Sequence, residues 1–264
     1  MVGPLRGVAL ITGAASGIGK GTAIAFARAE CKNMLLGDIN KAGLREVADQ
    51  VRLGSSDVDV DISYVDVSDE VSVEAFVDRC VARFGRLDYG CDNAGIVPPR
   101  TPTIDVDVEV FDRVIAVNLY GTFLCHRAEI RQMLKQDPLE QGGNGRGSIV
   151  SVSSMAGINA SPGVSPYAST KHAIIALVKT DAADYGQHGI RVNAVCPGFT
   201  DTKALRDMST ADQRTALAGS VPLKRLGQAV DVGNAIAFLC SEDASYVHGT
   251  AYVFDGGASI YRQG

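Results

Sequence analysis

The chain has 264 residues, 46% hydrophobic and 21% charged, which fits one large α/β domain with a sizeable core or two small domains, and no linker divides it. A formal net charge of -5 with scattered lysines and arginines gives neither nucleic acid nor an anionic membrane electrostatic support, so the expected partner is a small molecule. The start, Met1-Val-Gly-Pro-Leu-Arg6, lacks the pattern of a signal peptide and no run is long enough to cross a bilayer, which makes the cytoplasm the expected location.

Gly7-Val-Ala-Leu-Ile-Thr12 is a short apolar run suited to a buried strand, followed by Gly13-Ala-Ala-Ser16-Gly17-Ile18-Gly19 and a helical stretch from Lys20 to Glu30. Strand, glycine turn and helix in that order make a diphosphate cradle: glycines let the backbone approach closely, and the helix N-terminus attracts the charge. The spacing is G-x-x-x-G-x-G, so the generic dinucleotide fingerprint is not matched literally. Met34 to Asp38 reads as the second strand and ends in a carboxylate placed to hydrogen-bond the adenosine ribose. A 2′-phosphate would meet a like charge there with no adjacent arginine, so NAD(H) is preferred over NADP(H). The competing reading is that Asp38 caps the next helix.

Helix 41–52, strand 62–65, helix 71–84 and a short strand ending in Asp92-Asn93-Ala94-Gly95 follow, then one long helix over about 110–135. Asp57, Asp59 and Asp61 imitate a calcium loop, but Ile62 and Ser68 stand where glycine and glutamate are required, so they read as solvated acids beside a strand. The glycine-rich 142–147 stretch follows a helix and precedes a strand, the wrong order for a cradle, and reads as a surface loop. Next come strand 147–152, helix 167–185, strand 190–195, helix 230–239 and strand 250–254. This alternation implies a parallel sheet covered by helices on both faces, with ligands bound beyond the strands' C-terminal ends. The cysteines (Cys31, Cys80, Cys91, Cys125, Cys196, Cys240) and histidines (His126, His172, His188, His248) are isolated in sequence; they read as ordinary core or surface residues, and no metal site is expected.

A helix starting near Pro166 places Tyr167 and Lys171 four apart on one face, so that an ammonium favours the phenolate and suits the tyrosine to proton transfer near neutral pH. The pair alone also occurs on helices with no such role.

With Thr12-Gly13-Ala-Ala-Ser-Gly17-Ile18-Gly19, Asp66-Val67, Asn93-Ala94-Gly95, Asn118, Ser154, Tyr167 with Lys171, and Pro197-Gly198-Phe-Thr200-Asp-Thr202, the chain resembles the short-chain dehydrogenase/reductases in their compact single-domain form over essentially its whole length. The resemblance implies a three-layer, doubly wound Rossmann fold: a single domain, 1–264, with a seven-stranded parallel sheet and a substrate loop at about 198–225. It places the cofactor diphosphate on Gly13 to Gly19, including Ser16, the ribose on Asp38, and the adenine on Asp66 and Val67. The cofactor sugars fall to Asn93, Ala94 and Gly95, and the nicotinamide amide to Pro197, Gly198, Thr200 and Thr202. Tyr167 becomes the proton donor or acceptor, Lys171 also binds the nicotinamide ribose, Ser154 holds the substrate oxygen, and Asn118 interrupts its helix and holds a water leading from Lys171 to solvent. Asp92 departs from the family's usual asparagine and cannot donate when ionised. Ser153 is a neighbouring rival, set aside because Ser154 has the family's spacing to Tyr167 and strand alternation turns Ser153 away.

The implied activity is hydride transfer between a secondary alcohol and a ketone by a homodimer or homotetramer packed through helices 110–135 and 167–185 and the last strand. Segments 96–103, 156–165 and 203–224 are expected to be loops covering the substrate, and Leu205, Met208, Leu217 and Val221 hint at a medium-sized, largely apolar molecule. The rival readings are a non-redox enzyme or nucleotide-binding regulator on the same scaffold, and a structural subunit that binds no dinucleotide.

Overall fold

The computed structural model describes residues 2–139 and 145–260. Its N-terminal half runs β1 (Val8–Thr12), α1 (Gly17–Arg28), β2 (Asn33–Asp38), α2 (Lys41–Gly54), β3 (Asp59–Tyr64), α3 (Glu70–Phe84) and β4 (Tyr89–Asp92). Then come α4 (Val108–Val114), a π-helical turn (Ile115–Tyr120), α5 (Gly121–Met133), β5 (Gly147–Val152), α6 (Ser165–Tyr185) and β6 (Ile190–Pro197). The C-terminal part holds β7 (Thr200–Asp201), α7 (Lys203–Asp207), α8 (Ala211–Ser220), β8 (Gly227–Gln228), α9 (Ala229–Cys240) and β9 (Ala251–Phe254).

Seven strands form one parallel sheet in the order β3-β2-β1-β4-β5-β6-β9. The chain winds outward one way from β1 and the other way from β4, so the gap between those strands' C-terminal ends is a topological switch point, where open α/β sheets bind ligands. Side-chain alternation divides the core. Ala9 and Ile11 of β1 join Phe26 of α1 and Ile236 of α9 on one face. Val8 and Leu10 join Phe76 of α3, Leu124 of α5 and Ile174 of α6 on the other.

Several boundaries differ from the sequence reading. α1 opens at Gly17 rather than Lys20, so the last two cradle glycines lie inside its first turn. β3 starts at Asp59, and the acids expected beside the strand are partly in it: Asp59 and Asp61 pair with β2 through their backbones while their carboxylates meet Arg83 and Arg79, and Asp57 meets Lys32. The single long helix is three pieces, broken by the π turn that contains Asn118. The 203–224 excursion is not loop throughout but carries α7 and α8, capped by Thr202 and Thr210. β6 runs on to Pro197, and β9 begins at Ala251. Of the glycine-rich stretch expected as a surface loop, residues 142–144 lie outside the described residues, and Gly147 opens β5.

All six cysteines are buried and free. Among the described residues no helix is long and apolar enough to cross a membrane, and no group of three or more histidines, cysteines or acids is placed to hold a metal.

Candidate active site

The site is built outward from the end of β1. Gly13 and Gly17 have φ of 63° and 51°, conformations that cost a side-chain-bearing residue steric strain, and together they turn the chain sharply into α1. Gly19 is required for contact instead: a Cβ there would lie 2.3 Å from the Gly13 carbonyl oxygen. Ser16, at the N-cap, makes no side-chain capping bond, which leaves first-turn N–H groups available to an anion. Asp38, at the end of β2, accepts from Ala15 N at 3.1 Å and Asn40 N at 2.9 Å. The cap of α2 is Asn40, which accepts from Gly43 N at 3.1 Å, so Asp38 is not spent on capping.

β4 is tied to this turn. Asn93 Nδ2 donates to the carbonyls of Thr12 (3.2 Å) and Gly13 (3.0 Å), while Thr12 Oγ1 accepts from the backbone of Asn93 (3.1 Å) and Ala94 (3.2 Å). Asp66 accepts from Ser68 Oγ at 2.6 Å and Ser68 N at 3.0 Å; the hydroxyl bond, assisted by the charge of Arg113, holds its carboxyl below the usual range although partial burial opposes this. Thr200 Oγ1 donates to the Gly198 carbonyl at 3.2 Å, and Thr202 caps α7 by accepting from Leu205 N.

Opposite the turn, Pro166 lies in the first turn of α6 and places Tyr167 over the end of β5. Lys171 Nζ lies 5.5 Å from the centre of the Tyr167 ring and donates to the Val152 carbonyl at 2.7 Å. Ser154 stands beside Tyr167, where it favours the phenolate, and its Oγ accepts from Ala156 N at 3.1 Å. Ser153 is committed elsewhere, its Oγ donating to the Lys171 carbonyl at 2.8 Å. Asn118 is fully buried behind this row and bonds Ile96 and Thr170.

The expected electrostatics need correction. Burial pushes the Tyr167 phenol up, a rise Ser154 only partly opposes, and burial pushes the Lys171 ammonium down to about 8. Spacing alone suggested a lysine that draws the tyrosine towards phenolate; desolvation of both groups is the larger effect.

One cavity of about 1260 Å³ is lined by every expected catalytic and cofactor-binding residue except Gly19, packed under the turn, and Asn118, buried behind Gly95. Leu205, Met208 and Leu217 line it, whereas Val221 is 2% exposed and packs in the interior. Arg100 and Arg113 also line it and were missed; Arg113 precedes Asn118 on the same helical column, the one sequence signal that could have marked it. A turn with no room for a Cβ at Gly19, an uncapped helix N-terminus and an acid lining the cavity at the next strand's end fit a dinucleotide.

A family model described as enoyl-(acyl carrier protein) reductase matches residues 13–259. The chain belongs to the short-chain dehydrogenase/reductase family. Among members of the family, levodione reductase of Leifsonia aquatica is 36% identical over 259 residues, covering 96% of this chain and 94% of that protein. Cis-4-hydroxycyclohexanecarboxylate dehydrogenase of Sinomonas cyclohexanicum is 39% identical over 252 residues, covering 95% of each chain. The crystal structure of a 3-ketoacyl-(acyl-carrier-protein) reductase from Brucella melitensis complexed with NADH has a TM-score of 0.85 at 32% identity, covering 97% of this chain and 99% of that one. The chain is an oxidoreductase of this family.

Proposed function

We propose that the protein is an NAD(H)-dependent oxidoreductase that interconverts a secondary alcohol and a ketone, with Tyr167 as general acid/base. The observation that carries this reading is that Ser154, Tyr167 and Lys171, with Lys171 Nζ 5.5 Å from the centre of the Tyr167 ring, line the same cavity as the glycine turn. NAD(H), when bound, supplies or accepts the hydride. The first turn of α1 and the Gly13–Gly19 segment hold its diphosphate, Asp38 the ribose, Asp66 and Val67 the adenine, and Asn93 to Gly95 the sugars. Pro197, Gly198, Thr200 and Thr202 hold the nicotinamide amide. Preference for NAD(H) follows from Asp38, whose carboxylate repels a 2′-phosphate.

In oxidation Tyr167 takes the alcohol proton, and in reduction its hydroxyl gives a proton to the developing alkoxide. Ser154 orients the substrate oxygen, Lys171 positions the ribose and supports the phenolate, and Asn118 holds Ile96 and Thr170 around them. Burial opposes both charges of the tyrosine–lysine pair, and the positive nicotinamide of an oxidised cofactor would favour the phenolate against it.

The substrate end, with Ile96, Val97, Met155, Val164, Leu205 and Met208, suits a medium-sized, largely apolar molecule. The names of the two relatives point to a dione and to a hydroxycyclohexane as the kinds of substrate. Half-exposed aromatic pairs, Tyr120 with Phe123 and Tyr252 with Phe254, support assembly as a homodimer or homotetramer through the π turn with α5 and through β9. The functional test is NADH absorbance in the presence of cyclic and open-chain secondary alcohols and ketones, with NADPH in parallel. Turnover with NADH supports the reading; binding of NADH with no turnover on any member of the panel favours a regulator on the same scaffold.

A further inference from the structure

The core holds a second polar cluster that the reaction does not use. His126 of α5 is 1% exposed. Its Nδ1 lies 2.6 Å from Asp181 of α6, and its Nε2 lies 2.7 Å from Ser151 of β5 and 3.3 Å from Asp92 at the end of β4. With a carboxylate against each nitrogen, the arrangement is satisfied when both nitrogens carry protons. One proton goes to Asp181 and the other to Ser151, so Asp92 meets the ring as a charge; among the described residues neither of its carboxylate oxygens has a hydrogen-bond partner.

Among the described residues, the other titratable groups that act on Asp92 and its neighbours are an acid and thiols. Glu129, one turn further along α5, is fully buried against Gly90 of β4, where a Cβ would lie 2.1 Å from its Oε2. Burial, then the charge of Asp92, push its carboxyl well above the usual range, which keeps it neutral. Cys91 of β4 and Cys125 of α5 are thiols pushed well up by burial, and Cys240 of α9 adds a further thiol nearby. Burial alone would lower the His126 ring; the bond to Asp181 and the contact with Asp92 outweigh it and hold the ring at about 9.

Asp92 is the last residue of β4, and the next residue, Asn93, bonds the Thr12 and Gly13 carbonyls of the glycine turn. We propose that His126 is a positioning residue for dinucleotide binding: by compensating the Asp92 carboxylate inside the core it fixes the end of β4, and through Asn93 the glycine turn. This inference rests on the dinucleotide reading above.

The test is the NADH dissociation constant, with kcat and the melting temperature, for wild type, His126→Leu and His126→Leu/Asp92→Asn. His126→Leu strands the Asp92 charge and is expected to weaken NADH binding about tenfold with a smaller change in kcat. Adding Asp92→Asn removes that charge and is expected to recover most of the affinity; Asp181, 14% exposed, reaches water in both variants. A His126→Leu protein that melts earlier but binds NADH like wild type has lost only a brace, and overturns the proposal. A double variant no tighter than the single one overturns the route through Asp92. Should His126→Leu fail to fold, His126→Gln with and without Asp92→Asn gives the same comparison. Wild-type NADH binding is the control: its absence would overturn the dinucleotide reading itself.

Discussion

The side-chain amide of Asn118 grips the backbone of Ile96 from both sides, accepting from its N–H at 2.8 Å and donating to its carbonyl at 2.9 Å. A residue on a π-helical turn thereby holds the strand-end segment that follows Gly95. π turns inside α-helices recur at functional sites, and this one turns a buried amide toward a loop it would otherwise miss. Asn118→Ala leaves two backbone groups without their partner and is expected to cost about 1–3 kcal/mol in urea unfolding, with reduced turnover. Asn118→Asp keeps the acceptor, loses the donor, and is expected to fall between.

Two buried groups give stability opposite pH dependences. The folded-state value for His126 is raised from 6.5 to about 9, so its contribution is full below 6.5 and is lost as pH rises through about 9. Lys171 is lowered from 10.5 to about 8, so its penalty is full below about 8 and is relieved between about 8 and 10.5. Each shift corresponds to roughly 3 kcal/mol at most. Unfolding free energies from pH 6 to 10 are expected to lose the lower slope in His126→Leu and the upper one in Lys171→Met.

Lys171→Met is also expected to raise the melting temperature at pH 7, less so above pH 8, while most turnover is lost. Removing a buried ammonium relieves desolvation, although the Val152 carbonyl loses its donor. A variant less stable than wild type at pH 7 would show that the carbonyl bond outweighs the desolvation.

Cofactor choice is expected to turn on Asp38 and its 60% exposed neighbour Ile39. Asp38→Ser with Ile39→Arg removes a repelling charge and adds a guanidinium suited to a phosphate. The ratio of kcat/KM for NADPH over NADH is expected to rise at least about a hundredfold, roughly 3 kcal/mol. An unchanged ratio would remove Asp38 from the selectivity argument.

What the sequence disclosed was chemistry carried by local spacing. The order of strand, glycine turn and helix marks the cradle, and the four-residue step from Tyr167 to Lys171 marks one helix face, because neither needs knowledge of the tertiary fold. His126 stayed hidden because its bonded partners Ser151 and Asp181 lie 25 and 55 residues away. Asp92 was visible as a departure, yet nothing local showed which side chain would face it. The direction of the Tyr167 shift is hidden from the sequence for a similar reason: spacing reveals the neighbouring charge, whereas burial depends on the assembled fold. The start of β3 and helix α8 do carry local signals. Asp59, Val60, Asp61 and Ile62 alternate with strand period, and Thr210 with Gln213 form a capping box.

Proton transfer by Tyr167 is the centre of the mechanism, and the most direct measurement is NADH turnover and NADH affinity for Tyr167→Phe beside wild type. Loss of the hydroxyl is expected to lower kcat about 10² to 10⁴-fold while the dissociation constant of NADH stays within about threefold. A Tyr167→Phe protein that turns over substrate at a near-normal rate would contradict the mechanism.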